Sequence, residues 1–541
     1  MVYLTLVASL MARAPNIVLF LTDDQDQMLG GSFPPTDPGG ATPLPKTKKL
    51  LADAGATATN FFVHTPICCP SRNELLAGRY FHNIKMLPDA TPKPPKGGAC
   101  MHINETKVMN HTFARYLHDE AGYAVGMFGK FVNSVPDPWG AAPQGFDAWM
   151  ANGGGEYLNP AFGVQNLKAF SGVDDGNNVV FHGNYTTAVV GNMSTAWIRH
   201  IHSTRPSAPF FAYVAPKAAH EPFNPAPWYA DHWDDAWPKQ EPRPAGVWNA
   251  SYASRKDHHG NIATQPMITD EAAEVITGIF KNRWRCLMSV DDVIADVIAT
   301  VEDIGQLETT YFFYTSDHGF QLGEYNMLMD KRHVYDFDTR VHLLVRGPNI
   351  LPGSTWSQPA TFVDLAPTFL EIAGVDIPPT FDGKSILPLL HGNLGASSAW
   401  RTDLVLEYYF VAPNVKCVSN CTVSEVGDYP TDDEYCVDLA DKEGCWGGKA
   451  CNQDCYATES NANNWRALRN LKDDFLYAEF ETGDQGSRDL VFDKPDFYEL
   501  YNMSTDPWSL HNLYSTTPKP SLERMRKRLQ AWYECVGAAC P

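Results

Sequence analysis

The side chains best suited to chemistry in this sequence are carboxylates that lie far apart in the chain. Asp23 and Asp24 directly follow a short apolar run, and Asp317, with His318 after it, follows another. Because three neighbouring negative charges repel each other, a cation must neutralise them if the fold brings them together. Oxygen ligands suit a hard ion such as Ca²⁺ or Mg²⁺. The alternative is that Asp23 and Asp24 cap the helix that follows them.

Five apolar, β-branched or aromatic runs are predicted to be the buried strands that position these groups. They are residues 17–21, 124–128, 210–214, 311–314 and 342–345. Helical patterns separate them, and the clearest one, over residues 270–304, is long enough that we expect it to break or bend. This alternation predicts an α/β fold in which a mostly parallel sheet is sandwiched by helices.

Charged or imidazole side chains follow four of these predicted strands. Besides the aspartates, Lys130 comes soon after one strand, and Lys217 and His220 come after the next. The carboxyl ends of neighbouring parallel strands border one crevice, in which ligands bind. The sequence therefore predicts one functional site at this edge of the sheet.

A second chemical signal is the segment CCPSRNELLAGR, which begins at Cys68 and has the form C-x-P-S-R-x-x-L-x-x-G-R. It resembles the signature of the sulfatase family, in which the first cysteine is oxidised after synthesis to formylglycine. A hydrated aldehyde has two geminal hydroxyls, one to attack sulfur and one to expel the sulfate. The alternative is a buried cysteine pair before a helix, but the length and order of the motif favour the signature.

Further segments extend the resemblance over nearly the whole chain. They include PNIVLFLTDDQD, GKFVN, PKAAHEPF, YFFYTSDHG and DKRHVYDFDTRVHLLVRGP. Within the family, the TDDQD, CCPSR and GK-x-x-N forms are similar to the subgroup of N-acetylglucosamine-6-sulfatases and extracellular heparan sulfate 6-O-endosulfatases. The resemblance implies an alkaline-phosphatase-like fold and a sulfuric ester hydrolase. Its implied substrate is a sulfated carbohydrate such as a glycosaminoglycan, with 6-O-sulfate on N-acetylglucosamine-type residues.

The resemblance also implies a role for each matching residue. The implied ligands of one Ca²⁺ are Asp23, Asp24, Cys68 (as formylglycine), Asp317 and His318. The implied catalytic residues are Cys68, Arg72, Lys130, His220 and Lys331. Among these, Arg72 and Lys130 stabilise the formylglycine hydrate, while the sulfate is contacted by Lys130, His220 and Lys331. His220 is the natural proton donor to the leaving sugar oxygen, because imidazole exchanges protons near neutral pH.

The bulk composition argues against several other classes of function. An apolar share of 44% and an aromatic share of 12% in 541 residues suffice for a large folded core. The formal net charge of −21, without any run rich in Lys and Arg, disfavours nucleic acid as a partner. Past the N-terminal region the sequence has no uninterrupted apolar stretch long enough to span a bilayer.

The cysteines and the glycosylation sequons predict passage through the secretory pathway. Eight of the twelve cysteines lie beyond residue 416, and without regular metal-type partners they favour disulfides over a zinc site. Glycosylation is predicted at Asn104, Asn110, Asn184, Asn192, Asn249, Asn420 and Asn502. We therefore expect a secreted or a lysosomal or vacuolar protein.

Composition shifts divide the chain into predicted regions. Residues 1–14 resemble a weak signal segment, residues 15–395 a catalytic sulfatase domain, and residues 396–541 a smaller C-terminal α+β domain. The smaller domain contains a cysteine-rich insertion at 414–462, predicted strands at 475–480 and 497–501, and a helix at 521–533. We expect Cys535 and Cys540 to form a disulfide at its end.

Other functions stay open beside the leading one. One is an arylsulfatase of broader specificity, and another is a phosphonate or phosphate ester hydrolase of the same superfamily, which can share the formylglycine motif. A third is an inactive protein that binds sulfated glycans, but such a protein is expected to lack the nucleophile or a ligand, and this chain has both. The expected partners are the sulfated carbohydrate and the formylglycine-generating enzyme that modifies Cys68.

Overall fold

The structure is a computed structural model. It describes residues 13–27, 41–85, 103–133, 142–263, 265, 267–327, 329, 331–393, 400–409, 463–482 and 492–541. Three predicted features therefore lie outside the described residues. They are the signal segment except for its last two residues, the cysteine-rich insertion at 414–462 and the sequon at Asn420.

A sheet of eleven strands dominates the described part of the chain. The strands are β1 (Asn16–Thr22), β2 (Ala56–Phe62), β3 (Ala124–Lys130), β4 (Ala148–Asn152), β5 (Ala161–Gln165), β6 (Gly176–Val180), β7 (Phe210–Ala215), β8 (Thr310–Ser316), β9 (Arg340–Arg346), β10 (Ser354–Trp356) and β11 (Ala360–Thr361). Their order is β10-β2-β9-β8-β1-β7-β3-β4-β5-β6, with β11 also paired to β2. The strands β8, β1, β7, β3 and β4 are neighbours and all parallel, which confirms the predicted mostly parallel sheet.

Helices cover both faces of this sheet. The α-helices of the described residues are α1 (Pro45–Thr47), α2 (Cys68–Ala77), α3 (Phe81–Ile84), α4 (Glu105–Met109), α5 (Phe113–Ala121), α6 (Lys168–Ser171), α7 (Thr186–Thr204), α8 (Tyr252–Arg255), α9 (Gly260–Ala263), α10 (Asp270–Asp303), α11 (Asp336–Thr339), α12 (Leu365–Ala373), α13 (Leu387–Leu390) and α14 (Lys519–Tyr533). Successive side chains of a strand point to opposite faces. Accordingly, Ile17 and Leu19 of β1 share a core with residues of α2, α5 and α12, whereas Val18 and Phe20 share another with residues of α7 and α10.

The long helical pattern forms α10, a single helix of 34 residues. The expectation of a break in this segment is wrong, because the helix is continuous over its length. Its Thr269 side chain accepts a hydrogen bond from Ala272 N at the start of the helix. Further along, Ile276 and Trp284 pack in one apolar core, and Val297 packs in the core that α7 shares. Tertiary packing of this kind sustains a helix over its whole length.

The C-terminal part forms a second, antiparallel sheet in the order β12-β13-β14-β15. Its strands are β12 (Asp403–Tyr408), β13 (Trp465–Asn470), β14 (Phe475–Phe480) and β15 (Phe497–Asn502). Leu529 and Trp532 of α14 pack in the core of this sheet. The two predicted strands, the terminal helix and the disulfide between Cys535 and Cys540 are confirmed.

Two surface properties bear on the cellular route. Among the described residues, no helix has both the length and the apolar character that crossing a bilayer requires. The described sequon asparagines all reach the surface: Asn110, Asn184, Asn192 and Asn249 are exposed, and Asn104 and Asn502 are partly exposed. Attachment of glycans at these positions stays a prediction.

Candidate active site

Cys68 is the first residue of α2 and is almost completely buried. The helix begins there because Ile67 still has an extended backbone, and Pro70 lies in the first turn, where a missing N–H costs no helical hydrogen bond. It ends at Gly78, whose φ of +61° suits glycine and where a Cβ would lie 2.5 Å from the Phe381 ring. The proline and glycine of the motif thus fix both ends of α2, and the helix N-terminus beside Cys68 favours negative charge.

The predicted carboxylate cluster forms at the carboxyl ends of two parallel neighbours. Asp23 and Asp24 follow β1, and Asp317 and His318 follow β8. Asp24 N donates a hydrogen bond to Asp317 Oδ1 over 3.1 Å. His318 Nε2 lies 3.2 Å from Asp24 Oδ1 and 3.6 Å from Asp317 Oδ1. The structure therefore brings all four groups together, as the strand ends predicted.

Two lysines from other segments neutralise the first two carboxylates. Lys130 ends β3 and its Nζ lies 2.5 Å from Asp23 Oδ2, while Lys331, from the loop between β8 and β9, lies 2.7 Å from both oxygens of Asp24. Burial would raise the pKa of Asp23, but Lys130 and other nearby cations hold it well below its ordinary value. Burial would likewise raise the pKa of Asp24, but Lys331 and nearby groups outweigh this effect and lower it. Both carboxylates are therefore ionised at neutral pH.

Arg72 connects α2 to the carboxylate cluster and to β3. Its Nε donates to Asp317 Oδ2 over 2.8 Å, and its Nη1 donates to the carbonyl oxygen of Lys130 over 2.8 Å. Burial would lower the pKa of Arg72, but Asp317 and Asp23 outweigh this effect and raise it. Ser71 adds a hydrogen bond from its hydroxyl to the carbonyl oxygen of Asp317. These hydrogen bonds fix the position of α2 relative to the ends of β3 and β8.

A set of potential metal ligands surrounds the Cys68 thiol. One donor atom each from Asp23, Asp24, Cys68 and His318 lies within 4.8 Å of the other three. The sulfur lies 3.7 Å from Asp23 Oδ1 and 3.4 Å from His318 Nε2. In the formylglycine that the resemblance implies, an oxygen of the hydrate would take the place of this sulfur. Asp317 borders this set, and its oxygens accept hydrogen bonds from Asp24 N and Arg72.

The chemistry of these donors fits a hard divalent cation. Two ionised carboxylates supply the charge, and a formylglycine hydrate at position 68 would supply a further oxygen. His318 Nδ1 donates to the carbonyl oxygen of Gly319 over 2.8 Å, so in the neutral imidazole the lone pair of Nε2 faces the cluster. The residues implied by the resemblance are therefore able to hold the ion.

His220 lies at the entrance of the site, on the turn after β7. Its Nδ1 donates to the carbonyl oxygen of Glu221 over 2.8 Å, and its Nε2 lies 3.9 Å from Asp24 Oδ2. The Tyr157 hydroxyl donates to the carbonyl oxygen of His220, which fixes the turn from the other side. The side chain of His220 is 20% exposed, and its Nε2 is the ring nitrogen that faces the cluster.

For two residues near the site, the structure adds what the sequence pattern does not give. From the sequence, Lys217 is only a charged group after a strand, but in the structure it is nearly buried beside the site. The sequence signal that could have placed Lys217 in the site is its position after a central strand, three residues before His220. Cys69 is bound in a disulfide and so provides no second nucleophile.

Comparison with known proteins gives matches over most of the chain. The family described as Sulfatase matches residues 15–375, and the family described as N-sulphoglucosamine sulphohydrolase, C-terminal, matches residues 323–429. The chain is 31% identical over 538 residues to the N-acetylglucosamine-6-sulfatase of Homo sapiens, an alignment that covers 98% of this chain and 86% of that relative.

Two solved structures share the architecture. One is a protein in complex with its substrate D-glucosamine-2-N,6-O-disulfate, with a TM-score of 0.63, 20% identity and coverage of 96% of this chain and 97% of that one. The other is a phosphonate monoester hydrolase from Silicibacter pomeroyi, with a TM-score of 0.60, 19% identity and coverage of 95% of both chains. At these identities the likeness establishes the fold alone, and it confirms the fold that the resemblance implied.

Proposed function

Because this chain belongs to the sulfatase family and is a sulfuric ester hydrolase, we propose that it removes 6-O-sulfate from N-acetylglucosamine-type sugars. The proposed nucleophile is the formylglycine made from Cys68. One observation carries the proposal: the Cys68 sulfur lies at a helix N-terminus among two carboxylates, an imidazole and the Lys331 ammonium, 3.8 Å away. All these groups lie in the proposed catalytic domain at 15–395.

Formylglycine supplies one hydroxyl that attacks sulfur and a second that later loses its proton, restores the aldehyde and expels sulfate. Arg72 and Lys130 are proposed to hold this hydrate in place. Lys130, Lys331 and His220 are proposed to bind the sulfate oxygens, where their positive charge offsets the negative charge on the transferring group. When the bond between sulfur and the sugar oxygen breaks, His220 Nε2 is proposed to give that oxygen its proton.

The proposed metal is one Ca²⁺, held by Asp23, Asp24, Asp317, His318 and the hydrate at position 68. Bound there, it would offset charge on the sulfuryl oxygens. We expect active protein to contain one divalent ion per chain, and chelation to lower kcat by about a hundredfold or more, restored by added Ca²⁺.

The Asp24→Asn variant is expected to lose much of this metal, because it removes a ligand charge. Its matched control is Asp291→Asn, since Asp291 is also buried but accepts its hydrogen bonds from Lys46 and Thr47, outside the cluster. Elemental analysis of both variants gives the comparison. Metal-free protein with full activity would contradict the assignment.

The substrate proposal is supported by the 31% identity to an N-acetylglucosamine-6-sulfatase over nearly the full chain. We expect kcat/KM to be highest for N-acetylglucosamine 6-sulfate, lower for an aryl sulfate and for galactose 6-sulfate, and lowest for a phosphonate monoester. A preference of about tenfold for either sulfate competitor, or roughly 1.4 kcal/mol in transition-state binding, would overturn the sugar assignment but not the sulfatase assignment. Faster phosphonate hydrolysis would favour the rival function.

The proposed route is the secretory pathway, with a secreted or a lysosomal or vacuolar destination. The disulfide between Cys535 and Cys540 and the disulfide at Cys69 support an oxidising compartment. The accessible sequon asparagines are consistent with glycosylation there. A formylglycine-generating enzyme in the same compartment is the proposed partner for maturation.

A further inference from the structure

Lys217 is a nearly buried cation of this site for which the proposed mechanism has no use. Its side chain is 8% exposed. Its Nζ lies 2.5 Å from the carbonyl oxygen of Gly155 and 4.9 Å from the centroid of the Tyr157 ring. Neither the carbonyl oxygen nor the aromatic ring carries a full negative charge. By contrast, Lys130 and Lys331 are paired with carboxylates.

Lys217 is connected to the turn that carries His220 by one hydrogen bond and through its neighbour Tyr157. His220 N donates to the carbonyl oxygen of Lys217 over 3.0 Å, and the Tyr157 hydroxyl donates to the carbonyl oxygen of His220 over 2.5 Å. Burial lowers the pKa of Lys217, and the neighbouring charge of Lys130 lowers it further. The ammonium therefore lies on the Lys130 side of the sulfate site, next to the turn that holds the proposed proton donor.

A loop of three glycines, Gly153 to Gly155, faces Lys217 and Lys130. It follows β4, the strand beside β3, and its φ values of +127° at Gly154 and +59° at Gly155 lie in the region that favours glycine. A Cβ on Gly154 would meet only the Cδ and Cε atoms of Lys130, each at 3.9 Å. The absence of a side chain at Gly154 therefore leaves open space beside the Lys130 side chain, next to the residue whose carbonyl oxygen contacts Lys217.

The charges around Lys217 favour the binding of an anion next to it. The carboxylates of Asp23, Glu156 and Glu221 favour the charged form of Lys217, but in the described part of the chain no carboxylate lies within ion-pair distance of its Nζ. Burying an ammonium without a directly paired carboxylate is unfavourable, and the like charge of Lys130 adds to this penalty. A negatively charged group that binds beside Lys217 would remove both penalties. The sulfate to be cleaved is already matched by Lys130, Lys331 and His220 in the proposed function.

We infer that Lys217 is a specificity-determining residue that binds a second anionic group of the substrate, apart from the sulfate that is cleaved. The inference rests on the proposed function. The chemistry fits an N-sulfate on the same glucosamine ring or the carboxylate of a linked hexuronic acid. The enzyme would then favour sugars that carry two negative groups over those that carry one.

The test compares three substrates in the wild type and two variants. The substrates are N-acetylglucosamine 6-sulfate, N-sulfoglucosamine 6-sulfate, and a disaccharide of N-acetylglucosamine 6-sulfate with a hexuronic acid. We expect Lys217→Met to lower the ratio of kcat/KM between a doubly charged and the singly charged substrate by about tenfold or more. Lys217→Arg should retain most of the ratio, because it keeps the charge. The substrate whose ratio falls identifies the N-sulfate or the carboxylate as the group bound.

If Lys217 only supports the glycine loop, all three substrates lose kcat/KM equally and the ratios stay constant, which overturns the inference. A second readout is independent of turnover: calorimetric binding of the same sugars to Cys68→Ala protein with and without Lys217→Met. If Lys217→Met does not weaken the binding of either doubly charged sugar, the inference is also overturned. A wild type that binds these sugars through Lys217 but hydrolyses none would instead contradict the proposed function.

Discussion

Replacing Cys68 by alanine is expected to lower kcat by about four orders of magnitude or more, because it removes the group that forms the covalent bond to sulfur. The remaining cations and the metal would still bind the sulfate ester, so KM is expected to change much less than kcat. The fold should survive, since the thiol is small and α2 is held by Arg72 and by its two ends. Steady-state kinetics together with thermal unfolding would separate lost chemistry from lost structure.

The matched control is Cys286→Ala. Cys286 is the other free and buried cysteine of the described residues, and it lies on α10 outside the cluster. Its replacement removes the same atoms, and because Cys286 contacts Tyr157 and not the cluster, kcat should fall far less than in Cys68→Ala. Mass spectrometry of the peptide that contains Cys68 should show the aldehyde in active protein. A fully active preparation in which Cys68 is an unmodified thiol would contradict the proposed nucleophile.

The central strands were predictable because each is an apolar run buried on both faces. The strands of the second sheet show where this signal fails. In β13 (Trp465–Asn470) the charged residues Arg466 and Arg469 interrupt the apolar pattern, yet both are buried. Arg466 Nη2 lies 2.8 Å from Glu479 on the neighbouring strand, so the partner that makes burial possible is distant in sequence. Only the folded chain supplies that pairing.

In the site, too, some residues could be placed from the sequence and others could not. Asp23, Asp24 and Asp317 could be placed together from the sequence, because their strands are parallel and the strand ends share one edge. The position of Lys331 could not, since it comes from the loop after β8, where no periodic pattern fixes the chain. For Lys331 the motif resemblance alone suggested a role, and its contact with Asp24 emerged only from the structure.

Replacing His220 by alanine is expected to have an effect that depends on the leaving group. A sugar hydroxyl is a poor leaving group without a proton, so loss of the proposed general acid should lower kcat for N-acetylglucosamine 6-sulfate by about 10²- to 10⁴-fold. A nitrophenyl sulfate releases a stabilised phenolate that needs little protonation, so its kcat should fall far less. The orientation of His220 supports this role, because its Nδ1 is engaged with Glu221 and its Nε2 faces the cluster.

The comparison of the two substrates distinguishes proton donation from sulfate binding. If His220 served only to bind the sulfate, which both substrates share, His220→Ala would lower their rates by the same factor. His220→Gln keeps a hydrogen-bond donor of similar size but cannot transfer a proton, so it should retain activity on the aryl sulfate and lose it on the sugar sulfate. His118→Ala is the surface control, since His118 pairs with Asp119 on the exterior of α5. Equal losses on both substrates in both His220 variants would assign His220 to binding and require another proton donor, because the sugar oxygen must still acquire a proton as the bond to sulfur breaks.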